Sequence, residues 1–324
     1  MNLPKNKQKL LDNVIYELKG IAGVKAIVLG GSYATGMATD NSDLDIGIYY
    51  SDQCPFDLEK IKMTAEKIAA KEKPIVTGFY EWGPWVNGGA WIKTANGKVD
   101  FLYKNIEQIA LTIQNAKIGI WENHFEQQPP YGFSSIIFLG ETFSCVSLYD
   151  PEGIVGRLKE EVKEYPQKLK QAVIQQSLWS AEFTIWHADS FASKADVYNT
   201  VGCFTRAIKN IVTSLFAMNE LFPIGDKRAI EILEQSKLKP ASLAQKIDNI
   251  LCPDKHASTS SALTESAVHL ENFLKKLWNL QRVHTSLIIS YDESVKSIIK
   301  GVGFCHKAFR NILRCSEACF KTLS

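Results

Sequence analysis

Asp43 and Asp45, in Ser42-Asp43-Leu44-Asp45-Ile46-Gly47-Ile48, and Asp100, in Lys98-Val99-Asp100-Phe101-Leu102-Tyr103, are the residues of this chain best suited to chemistry. Residues two apart in a strand face the same way, so Asp43 and Asp45 set two anionic oxygen ligands side by side, a seat for a divalent metal. The run Ala26-Ile27-Val28-Leu29 reads as a strand ending at Gly30-Gly31. There a backbone without Cβ can turn tightly and approach a phosphate closely, and Ser32 adds a hydroxyl at the bend. Phosphoryl or nucleotidyl transfer needs this combination, because the protein supplies positioning and charge neutralisation rather than covalent chemistry. Two metals about 4 Å apart stabilise the attacking and leaving oxygens together, and a third carboxylate helps to hold them. Mg²⁺ suits such a site, since it prefers oxygen ligands and keeps positions open for water and phosphates. Singly these pieces are common, for Asp-x-Asp is usually a solvated turn and Gly-Gly-Ser a loop. Their order discriminates: strand, glycine turn with serine, paired aspartates on a second strand, a lone aspartate in another apolar run.

Further along, Glu182 falls within an apolar face formed by Ile174, Leu178, Ala181, Ile185, Trp179, Phe183 and Trp186 at 100° per residue. A carboxylate there must find a partner, titrate or line a cleft. Two roles stay open: a structural ion pair with a neighbouring helix, or a general base that takes a proton from an acceptor hydroxyl. Lys227, after Pro223-Ile224-Gly225-Asp226, is a candidate for neutralising a triphosphate, against the default of a solvated loop lysine. The loop Trp82-Gly83-Pro84-Trp85-Val86-Asn87-Gly88-Gly89-Ala90-Trp91 has the makings of a flat apolar wall for a base or a ring-shaped acceptor. The six histidines show no ligand spacing.

The elements that must position these residues follow from periodicity. An opening helix carries Leu10, Leu11, Val14, Ile15 and Leu18 at helical spacing. Strands are predicted at 24–29, 44–50, 74–80, 90–94 and 98–103, with Ala95-Asn96-Gly97 as a hairpin turn and a helix over 58–70. From Asp150-Pro151 the pattern turns helical, over 154–164, 168–190, 196–221, 243–251 and 262–283, with breaks at Pro166, Pro223-Ile224-Gly225 and Pro240. Residues 286–324 end in a basic amphipathic stretch, read as a helix packed on the bundle. The fold class expected is α+β, with domains at 1–150, 151–285 and 286–324.

Composition agrees with an enzyme of ordinary globular type: 324 residues, 45% hydrophobic, 22% charged, formal charge +2. That balance does not point to a nucleic-acid binder. No apolar run approaches the ~18 residues that span a bilayer, and the first residues lead into no signal-peptide core, so the expected compartment is the cytoplasm, without a membrane partner. Seven scattered cysteines without Cys-x-x-Cys read as reduced, mostly buried thiols rather than a zinc site.

The set Gly31-Ser32, Asp43-x-Asp45 and Asp100 resembles the signature of the polymerase-β-type nucleotidyltransferase superfamily, which includes enzymes that adenylylate aminoglycoside and lincosamide antibiotics. Over about residues 10 to 280, the Trp-rich loop, Val99-Asp100-Phe101-Leu102-Tyr103 and Leu215-Phe216-Ala217-Met218-Asn219-Glu220 resemble a largely uncharacterised bacterial branch with a helical domain after the catalytic one. The resemblance implies transfer of a nucleoside monophosphate, AMP from ATP, to a hydroxyl of a small acceptor, an antibiotic being one such molecule. Asp43 and Asp45 would hold two Mg²⁺ ions, Asp100 would complete the site, and Gly31 with Ser32 would bind the leaving phosphates. Aminoglycoside adenylyltransferases use a second-domain glutamate as base, to which Glu182 does not align by motif. Two alternatives remain: transfer to tRNA or a protein hydroxyl, as in toxin-like members, and a non-catalytic nucleotide-binding or antitoxin module. The presence of all three carboxylates argues against the second.

Overall fold

The computed structural model describes residues 3–252 and 259–284. Its centre is a six-stranded mixed sheet in the order β3-β4-β5-β2-β1-β8. The strands are β1 (Ala26–Leu29), β2 (Leu44–Tyr50), β3 (Ile75–Val76), β4 (Gly89–Thr94), β5 (Gly97–Asn105) and β8 (Val146–Tyr149). A small second ladder pairs β6 (Asn123–His124) with β7 (Phe133–Ser134). Neighbours in the large sheet run antiparallel except β2 and β5, which are parallel.

Alternation along the strands assigns the two faces. Ile27, Leu29, Leu44, Ile46, Ile48, Val99, Phe101 and Tyr103 are buried with Leu11, Val14 and Leu18 of α1 (Lys5–Leu18) and Ile61 and Ala65 of α3 (Leu58–Ile68). Asp57 caps α3 by accepting from Glu59 N at 3.0 Å. On the opposite face Ala26, Val28 and Tyr49 join a second core with α4 (Ile106–Lys117), α5 (Ile136–Ser144) and the helices that follow. Those are α6 (Ile154–Glu161), α7 (Gln167–Ala192), α8 (Val197–Met218), α9 (Ala229–Glu234), α10 (Leu243–Leu251) and α11 (Thr259–His284). The class is α+β, as the periodicity implies. Residues Met1–Val283 form one compact unit, and the basic stretch 286–324 lies outside the described residues.

The predicted hairpin is present, with Thr94 paired to Gly97 across the turn and Gly97 at φ 109°. The strand expected over 74–80 shrinks to Ile75–Val76. Gly88 has φ +129°, outside the extended backbone that a ladder needs, and a Cβ there would lie 2.4 Å from Gly78 O. Helices α4 and α5 and strand β8 carry little sequence signal, because an apolar run such as Ile136-Ile137-Phe138-Leu139 reads equally as strand or buried helix.

The broad apolar face expected of α7 is divided. Leu178, Ala181 and Ile185 are buried, whereas Trp179 is 52% and Trp186 62% exposed and Phe183 stacks on Trp179 outside the core. A helix shows its neighbour a stripe about 100° wide, and α7 spends that stripe on small and aliphatic residues. The thiols also depart from expectation: of the described cysteines Cys145 is buried, but Cys54 and Cys252 are exposed. Among the described residues no helix is long and apolar enough to cross a membrane.

Candidate active site

Four strands bring one row of residues to one face of the sheet. Asp45 on β2 is in register with Asp100 on β5, and Asp100 with Trp91 on β4. On the other side Gly30 N donates to Asp45 O at 2.8 Å at the end of β1. Neighbouring strands lie about 4.8 Å apart, and paired residues project to the same side, so both carboxylates stand side by side. Trp91, 48% exposed, stacks on Trp82 at 4.5 Å and 21°. Part of the predicted aromatic wall therefore stands two strands from Asp45. Trp85 turns away instead, against Phe133 and Phe138.

The glycine turn is a short helix, α2 (Gly31–Thr35), rather than an open bend. Gly31 has φ +57°, and a Cβ there would meet Asp45 Oδ2 at 1.8 Å, so glycine is needed both for the backbone and for the carboxylate beside it. Ser32 is half-buried next to it.

Asp43 lies just before β2 and acts on both other carboxylates. The approach to it is held by Lys7 of α1, which is buried, donates to Asp40 O at 3.3 Å and to Ser42 O, and sits over the Tyr33 ring at 5.1 Å. A buried ammonium must be satisfied, and these carbonyls and the ring do so.

The electrostatics are those of crowded anions. Burial first, then Asp100 and Asp43, push the Asp45 carboxyl up from 3.8 to about 6. Asp100 is likewise raised, by burial and then by Asp43. Lys227 opposes the shift at both. The structure thus brings the predicted Lys227 to the carboxylates from the loop between α8 and α9. Next to it, Arg228 Nη1 donates to Met37 O at 3.2 Å, tying that loop to the segment after α2. Glu182, half-buried on α7, is not among the charges that chiefly act on Asp45 or Asp100. A different glutamate is: Glu141 of α5, which raises Asp45 further and is paired at 2.6 Å with Lys104, a residue on the same face of β5 as Asp100. Sequence reasoning misses Glu141, and the available signal is a lone carboxylate in the apolar run Ile136-Ile137-Phe138-Leu139-Gly140-Glu141.

Among the described residues no three His, Cys, Asp or Glu side chains are gathered closely enough, as they stand, to hold a metal ion. The donor set nevertheless fits one. Three aspartates supply only hard oxygens, and Asp45 is displaced in the direction that an added divalent cation would reverse.

A mixed sheet with a glycine turn, paired aspartates and a third aspartate on the parallel neighbour is the frame of a nucleotidyltransferase domain. Residues 11–84 match the nucleotidyltransferase domain family, and the chain carries such a domain of the polymerase-β-type superfamily. Residues 138–227 match a second family, a domain of unknown function, DUF4037, which runs from Phe138 in α5 to Lys227 and so contains Glu141. No curated protein matches the chain. The crystal structure of a nucleotidyltransferase-like protein from Exiguobacterium sibiricum 255-15 is similar over 84% of this chain and 75% of that one, with 8% identity and a TM-score of 0.42.

Proposed function

We propose that the protein transfers a nucleoside monophosphate, AMP from ATP, to a hydroxyl of a small acceptor, with pyrophosphate as leaving group. The observation that supports this most is the register of Asp45 with Asp100 beside the Cβ-free Gly31, with Asp43 acting on both. Asp43, Asp45 and Asp100 would hold Mg²⁺, which when bound offsets the charge of the triphosphate and of the transition state. Gly31 leaves room for phosphate oxygens close to the backbone, Ser32 donates its hydroxyl, and Lys227 adds positive charge from the helical side. Trp91 on Trp82 offers a flat face for the base. For the acceptor's proton we favour Glu141 over Glu182, because Glu141 acts on Asp45. In this reading residues 1–150 form the catalytic domain and 151–285 the acceptor side.

The test is pyrophosphate release from ATP by the full chain with Mg²⁺ and a set of hydroxylated acceptors, for wild type and for Asp43→Asn with Asp45→Asn. Release with an acceptor by wild type and its loss in the double variant is the expected result. Equal release by both, or none by wild type with any nucleoside triphosphate, overturns the reading.

A further inference from the structure

We propose that a cavity beside the carboxylates, between β7, α5, α8 and the loop at 223–226, binds a compact, mostly apolar molecule bearing hydroxyl groups, and that this molecule is the acceptor. The second half of that statement rests on the transfer reading above. The first stands by itself.

The cavity has a volume of about 250 Å³, room for roughly ten non-hydrogen atoms. Ile137, Val173, Ile208, Phe216 and Leu251 give it an apolar body. Polar groups are few and placed. Ser134 lines the wall, and its Oγ is buried without a hydrogen-bond partner, an arrangement that a ligand hydroxyl completes. Lys209 lines it too, with one long hydrogen bond to Asn123 Oδ1 at 3.4 Å, and the exposed Asp226 stands at the mouth. One lysine against one aspartate cancels in charge. Such a lining suits an uncharged ring alcohol and disfavours a polycationic aminosugar, which needs several carboxylates.

Its position relative to the carboxylates follows from two shared segments. Ile136 and Ile137 line the cavity, and Glu141, about one turn further along α5, acts on Asp45. Asp226 lines the cavity, and its neighbour Lys227 acts on Asp45 and Asp100. Gly140 fixes these segments against each other, since a Cβ there would lie 2.3 Å from Pro223 O. In this proposal a hydroxyl at the mouth reaches the α-phosphate of a nucleotide held at the carboxylates. Attack by its oxygen on that phosphorus forms the new P–O bond, the bond to pyrophosphate breaks, and the hydroxyl proton passes to a carboxylate.

The test uses the full chain and three probes: 2-(4-hydroxyphenyl)ethanol, cyclohexylmethanol and the aminosugar neamine. Crystal soaks and ligand-observed NMR should place at least one ring alcohol in the cavity and exclude neamine. Val212→Trp, at a half-buried lining position, should weaken alcohol binding at least tenfold while binding of a non-hydrolysable Mg²⁺–ATP analogue is kept. Ser134→Ala, a smaller change, should weaken it several-fold. Exclusion of both alcohols, or neamine in the cavity, overturns the proposal. Alcohol binding without pyrophosphate release from ATP supports the site and rejects the transfer reading alone. Release that is the same in wild type and Val212→Trp rejects the cavity as the acceptor's seat and leaves transfer intact.

Discussion

Asp45 Oδ2 occupies the place beside Gly31 where any other residue would carry its Cβ, 1.8 Å away. The pair behaves as one unit: the carboxylate stands where it does because position 31 has no side chain. Gly31→Ala must therefore displace the carboxylate as well as strain a left-handed backbone, at a cost of about 1–2 kcal/mol. We expect a folded protein with transfer lowered at least about 10²-fold. Circular dichroism with pyrophosphate release checks both halves.

The raised Asp45 carboxyl makes stability depend on pH in a definite sense. Its folded value, about 6, lies above the ordinary 3.8, so the fold prefers the protonated form. This group lowers stability above pH 6, and the penalty disappears as pH falls through 6 toward 4. The displacement corresponds to at most about 3 kcal/mol. Metal-free Asp45→Asn should thus melt higher than wild type at about pH 7.5, the gap closing below about pH 4. Mg²⁺ should raise the wild-type melting temperature at the higher pH and leave Asp45→Asn nearly unmoved. A gap that widens on acidification would contradict this.

Loss of Asp100 and loss of Lys227 should separate kinetically. Asp100→Asn removes ligand charge and should lower kcat by at least about 10²-fold with little change in the KM for ATP. Lys227→Met removes a positive charge facing the same carboxylates and should raise that KM by about tenfold. Steady-state kinetics on both variants decides it, and the opposite split would exchange the two roles.

The two glutamates give opposite expectations. Glu182→Gln should leave turnover close to wild type wherever the variant is folded. Glu141→Gln should lower turnover by about 10²- to 10⁴-fold, since it takes away a carboxylate that acts on Asp45. Steady-state turnover of both variants separates them, and a comparable loss in Glu182→Gln alone would return the base to α7.

Lys7 is a positioning residue. Lys7→Met leaves Asp40 O and Ser42 O without their buried donor, at a cost of about 1–3 kcal/mol in stability. Its particular signature should be weaker Mg²⁺ binding, measured by titration well below the melting temperature, because the segment leading to Asp43 loses its anchor.

The amino-acid sequence by itself determined the chemistry-bearing set and its local carriers. Gly31, Ser32, Asp43, Asp45 and Asp100 could be picked out because period-two alternation and a Cβ-free turn are local properties, written within a few residues. The hairpin at Ala95-Asn96 and helix α10 were legible for the same reason. What only the tertiary structure decided is which distant residues meet. Register alone puts Asp100 opposite Asp45 and Trp91 opposite Asp100. Packing of α5 and of the 223–228 loop brings Glu141 and Lys227 to the carboxylates, while Glu182, conspicuous on a helical wheel, lies on a helix whose buried stripe is set by its aliphatic neighbours. Periodicity states which face a residue takes on its own element, but which element covers that face is a non-local free-energy minimum, and no spacing within one segment encodes it.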